Sequence, residues 1–172
     1  MVVNDAQSNG RIGHALANMS LGGSYSVSLN DAVDSAVKRG IPFIVAAGNS
    51  NANAANFSPE STPSAITLGA TDVNDARASY SNFGPTLDAF APGSDITSAW
   101  IGSDSASNTI SGTSMASPHV HICGLVAYLM AYERLTDPSA VANRIVKLST
   151  TGVVTNPGAG SPNSLIYISS GQ

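Results

Sequence analysis

Residues 111–119 contain a serine in a setting that could support attack on a carbonyl group. Their sequence is Ser-Gly-Thr-Ser-Met-Ala-Ser-Pro-His, and Ser114 lies where a polar loop gives way to a predicted helix. The first N–H groups of a helix lack partners and can stabilise an oxyanion. The same position also suits a helix cap, because serine and threonine are preferred there. On placement alone, the cap is the simpler interpretation.

A nucleophilic serine needs a base, and the spacing of the histidines does not supply one. His119 follows Ser114 by five residues, about 140° around a helix, and His121 lies about 10 Å further along the axis. Neither position meets the hydrogen-bond reach of about 3 Å that a general base requires. His14, with Asp5 as a partner, is the weaker remaining candidate. We therefore expect the chain to lack the usual base.

Short apolar segments alternate with helical ones, which predicts an α/β domain whose mostly parallel sheet is covered on both faces. The predicted strands are 17–21, 41–47, 65–70, 86–91 and 165–168. The predicted helices are 29–39 after a Ser28 cap, 113–134, and 138–148 after an Asp137 cap. In the second helix, Leu125, Tyr128, Leu129 and Tyr132 form an apolar stripe, and Cys123 is expected to be a buried small residue.

Composition excludes several classes of protein. The chain has 172 residues, of which 10% are charged and 42% hydrophobic, and its net charge is −4. These values do not fit a disordered charged tail or a coiled coil, and no basic stripe suggests nucleic-acid binding. Apolar runs are too short to span a bilayer, and the N-terminus has no signal-peptide pattern. A single cysteine allows no internal disulfide.

Taken whole, residues 112–120 closely resemble the nucleophile motif of the subtilisin-like serine proteases. Further segments resemble the same family in the same order, namely residues 18–23, 46–49, 80–84 and 90–93. The proteinase K branch, with its secreted fungal alkaline proteases, is the most similar. The resemblance implies a three-layer α/β fold with a mostly parallel sheet, represented here without its N-terminal part. Residues 1–172 would be the nucleophile-bearing C-terminal half of one peptidase domain.

The resemblance also implies roles for individual residues. Ser114 would be the nucleophile, and Asn49 would donate its amide to the oxyanion beside the Ser114 N–H. By itself, the Gly-Asn pair favours a turn residue after a strand. The remaining implied contacts are backbone pairing with an extended substrate by Ser20, Leu21 and Gly22, and a pocket for the residue before the cleaved bond, lined by Ala46, Ala47 and Gly48. Such small residues would leave room for a large apolar or aromatic side chain.

A calcium site is the one ligand site that the resemblance implies. Its ligands would be the carbonyls of Pro63 and Ala65 and the carboxylate of Asp88, which are oxygen donors of the kind calcium prefers. The alternative is a buried, capped Asp88 with no metal. Catalysis would need no cofactor. The expected partner is an extended polypeptide, and the full-length protein would be a secreted monomer.

Two departures from the family pattern limit these expectations. The aspartate and histidine motifs of the triad do not occur in this chain, so we expect it to be inactive alone. Without the N-terminal part, the sheet would have an unpaired edge, so we also expect the chain to be prone to aggregation. The alternative is a non-catalytic peptide-binding or inhibitory half-domain. A self-contained hydrolase with a Gly-x-Ser-x-Gly elbow is disfavoured, because Ala116 replaces the second glycine. The second departure is two extra residues between Val120 and Gly124.

Overall fold

The computed structural model describes residues 2–117 and 122–166. The helices are α1 (Val2–Ser8), α2 (Val27–Lys38), α3 (Thr113–Ala116), α4 (Cys123–Tyr132) and α5 (Pro138–Leu148). The strands are β1 (Ala17–Met19), β2 (Gly23–Ser24), β3 (Phe43–Ala46), β4 (Phe57–Ser58), β5 (Ile66–Thr71), β6 (Ala89–Pro92), β7 (Ile96–Ala99), β8 (Ser107–Ile110), β9 (Thr150–Thr151) and β10 (Ser164–Leu165). A single turn of 3-10 helix covers Ala54–Asn56.

The main sheet has six strands in the order β1-β3-β5-β6-β10-β9. All neighbours are parallel except β10 and β9. Two separate antiparallel pairs, β2 with β4 and β7 with β8, lie outside this sheet. β1 is at one edge, so within the described residues one of its sides has no neighbouring strand.

Helices cover both faces of the sheet, as β3 illustrates. Phe43 and Val45 pack in the cluster that includes Val33 and Val37 of α2. Ile44, between them, points to the other face and packs in the cluster formed with α4 and α5. Successive side chains of a strand point to opposite faces of the sheet. Because both sets are buried here, a layer of helices must cover each face. The predicted three-layer α/β fold with a mostly parallel sheet is therefore confirmed.

Local capping explains where the outer helices begin. Asp137 accepts a hydrogen bond from Ala140 N at 3.0 Å, and Pro138 opens α5, which confirms the predicted bounds 138–148. For α2 the predicted Ser28 cap is wrong. Ser26 is the cap, because its hydroxyl accepts from Leu29 N at 3.3 Å, and the helix starts two residues early.

The single helix expected over 113–134 is replaced by α3 and α4. Residues 118–121 lie outside the described residues, and α4 ends at Tyr132 because Arg134 adopts a left-handed φ of 55°. The expected apolar stripe is also wrong in part. Leu125 and Leu129 are buried, but Tyr128 and Tyr132 are 55% and 73% exposed and stack on each other.

No helix among the described residues combines the length and apolarity needed to cross a bilayer. The last predicted strand, 165–168, is observed only as β10, since residues 167–172 lie outside the described part of the chain.

Candidate active site

The site forms where β1 and β3 end. These strands are parallel neighbours, so the segments that follow them leave the sheet at the same edge. Ser20 follows β1 directly, and Asn49 follows β3 after a short turn. The first turn of α3, which carries Ser114, meets both segments through side-chain hydrogen bonds. Three stretches that are distant in sequence therefore converge at one place.

Ser114 is held by reciprocal bonds with Ser20. The Ser114 hydroxyl donates to Ser20 O at 3.3 Å, and the Ser20 hydroxyl donates to Ser114 O at 3.1 Å. The Ser20 Oγ also lies 3.1 Å from Ser117 Oγ. Because Ser114 is the second residue of α3, its backbone N–H has no helical carbonyl to bind. The backbone N–H and the side-chain hydroxyl of Ser114 therefore lie at the same place.

Thr113 fixes the orientation of Asn49. The Asn49 Oδ1 accepts from Thr113 N at 2.9 Å and from Thr113 Oγ1 at 2.8 Å. Thr113 Oγ1 in turn accepts from Gly48 N at 3.1 Å. With its carbonyl oxygen engaged on this side, Asn49 keeps its NH2 group for other acceptors. Sequence reasoning missed Thr113, whose signal was its place next to Ser114 in the motif.

Asn82, also missed from the sequence, supports the turn after β3. It is fully buried, and its Oδ1 accepts from Ser50 N and Ala52 N, both at 3.0 Å. Gly48 has a left-handed φ of 95°, and a Cβ there would lie 2.4 Å from Asn82 Nδ2. Only glycine therefore fits this turn, which leads directly to Asn49.

One cavity joins these groups, with a volume of about 250 Å³. Its lining residues are Leu21, Gly22, Gly23, Ser24, Ala46, Gly48, Asn49, Ser50, Phe57, Glu60, Asn82, Thr113 and Ser114. Of the residues expected at a substrate site, Leu21, Gly22, Ala46 and Gly48 are among them. Ser20 instead contacts Ser114, and Ala47 packs in the core with Leu87 and Phe90, its N–H bonded to Leu68 O at 2.9 Å.

Glu60 is the cavity residue that sequence reasoning did not find. It lies in a loop containing Pro59 and Pro63, which gives no signal of burial, yet it is 1% exposed. Burial raises the pKa of its carboxyl to about 7.

Asp88 lies at the start of β6, near the segment containing Pro63 and Ala65. Its Oδ2 accepts from Thr67 N at 2.7 Å, and burial raises its pKa to about 6. No cationic side chain among the described residues forms an ion pair with it. Asp88 is half-buried, and its bond to Thr67 places it close to the segment that carries the Pro63 and Ala65 carbonyls, so the oxygen donors at this place are of the kind a hard cation prefers. The described residues contain no cluster of three or more His, Cys, Asp or Glu side chains that could hold a metal.

The remaining candidates for chemistry do not join the site. His14 is exposed in the loop between α1 and β1, and within residues 2–117 and 122–166 no histidine hydrogen-bonds to Ser114. His119 and His121 lie outside the described residues. The Cys123 thiol is half-buried, donates to Ser117 O at 3.4 Å, and has its pKa raised to about 11 by burial. Such a thiol is a poor nucleophile.

Comparison with known proteins shows the family to which the chain is related. Residues 3–162 match the sequence model of the subtilase family. Alkaline protease 1 of Aspergillus clavatus is 56% identical over 164 residues, which is 95% of this chain and 40% of that protein. Alkaline proteinase of Hapsidospora chrysogena is 56% identical over 169 residues, which is 98% of this chain and 41% of that protein. The chain thus spans about two fifths of the length of these two relatives.

A solved structure shows the same fold. The crystal structure of a cold adapted subtilisin-like serine proteinase superposes with a TM-score of 0.86 at 42% sequence identity. The alignment covers 96% of this chain and 58% of that one.

Proposed function

Because the chain belongs to the subtilase family, we propose that it supplies the nucleophile, oxyanion donors and peptide groove of a serine endopeptidase. The observation that carries this proposal is the shared cavity, since Ser114 and Asn49 both line it. A substrate carbonyl placed there would meet a hydroxyl and two N–H donors together. We further propose that residues 1–172 are one part of a longer peptidase domain.

Ser114 acts as the nucleophile in this proposal. Its Oγ attacks the carbonyl carbon of the peptide bond while a base takes the hydroxyl proton. The carbonyl electrons move to oxygen, and the Asn49 amide and the Ser114 N–H stabilise that oxyanion. The C–N bond then breaks as the base returns the proton to the amine. Water hydrolyses the resulting acyl-enzyme by the same steps and frees Ser114.

The base and its orienting carboxylate come from outside this chain. Support for this comes from the position of His14, which is exposed and makes no hydrogen bond to Ser114 within the described residues. It also comes from coverage, because the chain spans only 40% of the Aspergillus clavatus relative. We expect the chain alone to have no ordinary triad activity.

Leu21 and Gly22 follow the edge strand β1 and line the cavity, so their backbone is available to an extended polypeptide. The protein at its natural length acts as a monomer outside the cell, as a protein similar to alkaline proteases would. Asp88 and the carbonyls of Pro63 and Ala65 would hold a calcium ion, which would neutralise a carboxylate that no lysine or arginine among the described residues pairs with. Its role is structural and catalysis needs no cofactor.

The test is cleavage of a peptide library by the protein at its natural length, with Ser114→Ala and the exposed control Ser105→Ala. We expect Ser114→Ala to abolish turnover and Ser105→Ala to leave it unchanged. A fluorophosphonate probe should label Ser114 and no other serine. Peptide binding without turnover in the unmodified protein would instead support a peptide-binding or inhibitory module.

A further inference from the structure

A buried carboxylate with one unbonded oxygen lies in the wall of the active-site cavity. Glu60 is 1% exposed, and its Oε2 has no hydrogen-bond partner. Placing an ionised group in such surroundings is unfavourable unless a counter-charge or donor reaches it. The chain therefore retains a costly group at this position, which suggests that something outside the chain completes it.

Two glycines approach the carboxylate closely and bring no side chain against it. A Cβ at Gly22 would lie 2.8 Å from Glu60 Oε1, and a Cβ at Gly48 would lie 3.1 Å from the same oxygen. Gly22 belongs to the segment after β1, and Gly48 belongs to the turn after β3. The carboxylate thus lies between the two segments that frame the cavity, and neither places a side chain over it.

No other residue of the cavity wall carries charge. The remaining lining residues are apolar, such as Leu21 and Phe57, or neutral, such as Ser50. Asn82 is already engaged, because its Nδ2 donates to Ala47 O at 2.7 Å. Within residues 2–117 and 122–166, the lysine and arginine side chains that form ion pairs do so with Asp34 and Glu133.

We infer that Glu60 makes this cavity select a substrate side chain that ends in a cation, lysine or arginine. The inference rests on the proposed function and specifies the substrate of that same site. The apolar wall would contact the methylene groups, and the charged tip would reach the carboxylate. At about 30 Å³ for each water molecule in the liquid, a 250 Å³ cavity has the volume of roughly eight waters, which is enough for the five non-hydrogen atoms of a lysine side chain. The large apolar or aromatic preference expected from Ala46 and Gly48 alone takes no account of Glu60.

The experiment measures binding without turnover. The protein at its natural length carries Ser114→Ala, and calorimetry compares capped peptides that differ only in the residue before the cleaved bond. Lysine is compared with norleucine, which has a similar stem and no charge, and with phenylalanine. At pH about 9 a free carboxyl is ionised and a lysine still carries its proton. Glu60→Gln removes the charge, and Asp31→Asn makes the same charge change on the exposed face of α2.

We expect the lysine peptide to bind at least tenfold more tightly than the norleucine peptide. Glu60→Gln should reduce that ratio to about one with little change in norleucine binding, and Asp31→Asn should preserve it. If Glu60→Gln does not fold, Glu60→Asp keeps the charge with a shorter reach and should retain a reduced lysine preference.

Three adverse outcomes have different meanings. Tight binding of the norleucine or phenylalanine peptide with no preference for lysine would overturn this inference and leave the proposed groove intact. Failure of every peptide to bind would overturn the inference and the proposed groove together. A lysine preference that persists in Glu60→Gln would assign the preference to another group and overturn the role of Glu60.

Discussion

Ser20 and Ser114 are joined by two hydrogen bonds that run in opposite directions. Each hydroxyl donates to the other residue's backbone carbonyl, at 3.1 Å and 3.3 Å. The pairing ties the start of α3 to the end of the edge strand β1, so the nucleophile candidate and the candidate substrate-pairing segment are positioned by the same contact. A shift of one would move the other.

Ser20→Ala removes one of these two bonds, the contact with Ser117 and the bond that Ser20 Oγ accepts from Asn18 Nδ2, and leaves the backbone acceptor for Ser114 in place. We expect the free energy of unfolding to fall by about 1–3 kcal/mol, because each hydrogen bond contributes about 1 kcal/mol. We expect kcat on peptide substrates to fall about tenfold, because α3 is less well positioned. Ser35→Ala, an exposed serine of α2, is the control. An unchanged kcat with reduced stability would limit Ser20 to a structural role.

Thr113→Val keeps the shape of the side chain and removes the hydroxyl that binds Asn49 and Gly48. The Gly48 N–H is left without its acceptor. We therefore expect the free energy of unfolding to fall by about 1–3 kcal/mol, the usual cost of a buried donor without a hydrogen bond. We also expect kcat/KM to fall by about tenfold or more. Thr113→Ser restores the hydroxyl and should restore most of the activity.

A double-mutant cycle tests whether Thr113 acts through Asn49. If Thr113 only orients the amide, Thr113→Val should have little effect on kcat/KM once Asn49→Ala is present. Additive losses in the double variant would show that Thr113 acts independently of Asn49.

Glu60 makes stability depend on pH with a definite sign. The pKa of its carboxyl rises from 4.5 when unfolded to about 7 when folded, because burial disfavours the charge. Over this interval the unfolded chain loses its proton first, so the free energy of unfolding falls as pH rises from about 4.5 to about 7. No other carboxylate, histidine, lysine or arginine lines the cavity in the described part of the chain.

Glu60→Gln should therefore be more stable than the unmodified protein above pH about 7, by about 3 kcal/mol. The difference should disappear below pH about 4.5. Urea unfolding at several pH values measures it, with Asp31→Asn as the control. A Glu60→Gln protein that is less stable at pH 8 would contradict a buried, uncompensated carboxylate.

Calcium should raise the unfolding temperature through Asp88. At a hundredfold excess over the dissociation constant, one site contributes about 2.7 kcal/mol, or roughly 5–10 °C for a chain of this size. Asp88→Asn should remove this increment, and Asp104→Asn, in an exposed loop, should retain it. Thermal melts with calcium and with a chelator make the comparison. An equal calcium effect in Asp88→Asn would remove Asp88 from the site.

Features set by neighbouring residues could be predicted from the sequence, and features set by distant ones could not. The bounds of α5 follow from Asp137 and Pro138, which act within one turn. For α2, Ser26 and Ser28 both suit the cap position, so the sequence could not choose between them. Glu60 lies in a proline-rich loop, and only the approach of Gly22 and Gly48 reveals that it faces a cavity.

The residues of the candidate site likewise fall into those that a local pattern predicts and those that it does not. Ser114 and Asn49 were found because short motifs contain them. Thr113 and Asn82 act by hydrogen bonds that span 64 and 35 residues, to Asn49 and to Ala47 respectively, and no local pattern encodes such pairings. The exposed Tyr128 could not be separated from the buried Leu129, because the uniformly apolar sequence of α4 does not mark its inner face.

The strand order has a consequence for synthesis on the ribosome. β6 is paired with β10, where Leu165 lies beside Phe90, so the sheet joins segments that leave the exit tunnel at well-separated times. Until Leu165 emerges, the flank of β6 that it will cover stays open in the nascent polypeptide. Parallel pairing between distant segments is slow and leaves apolar surface exposed meanwhile. Translation speed over the final stretch and access to chaperones should therefore influence how much correctly folded product is obtained.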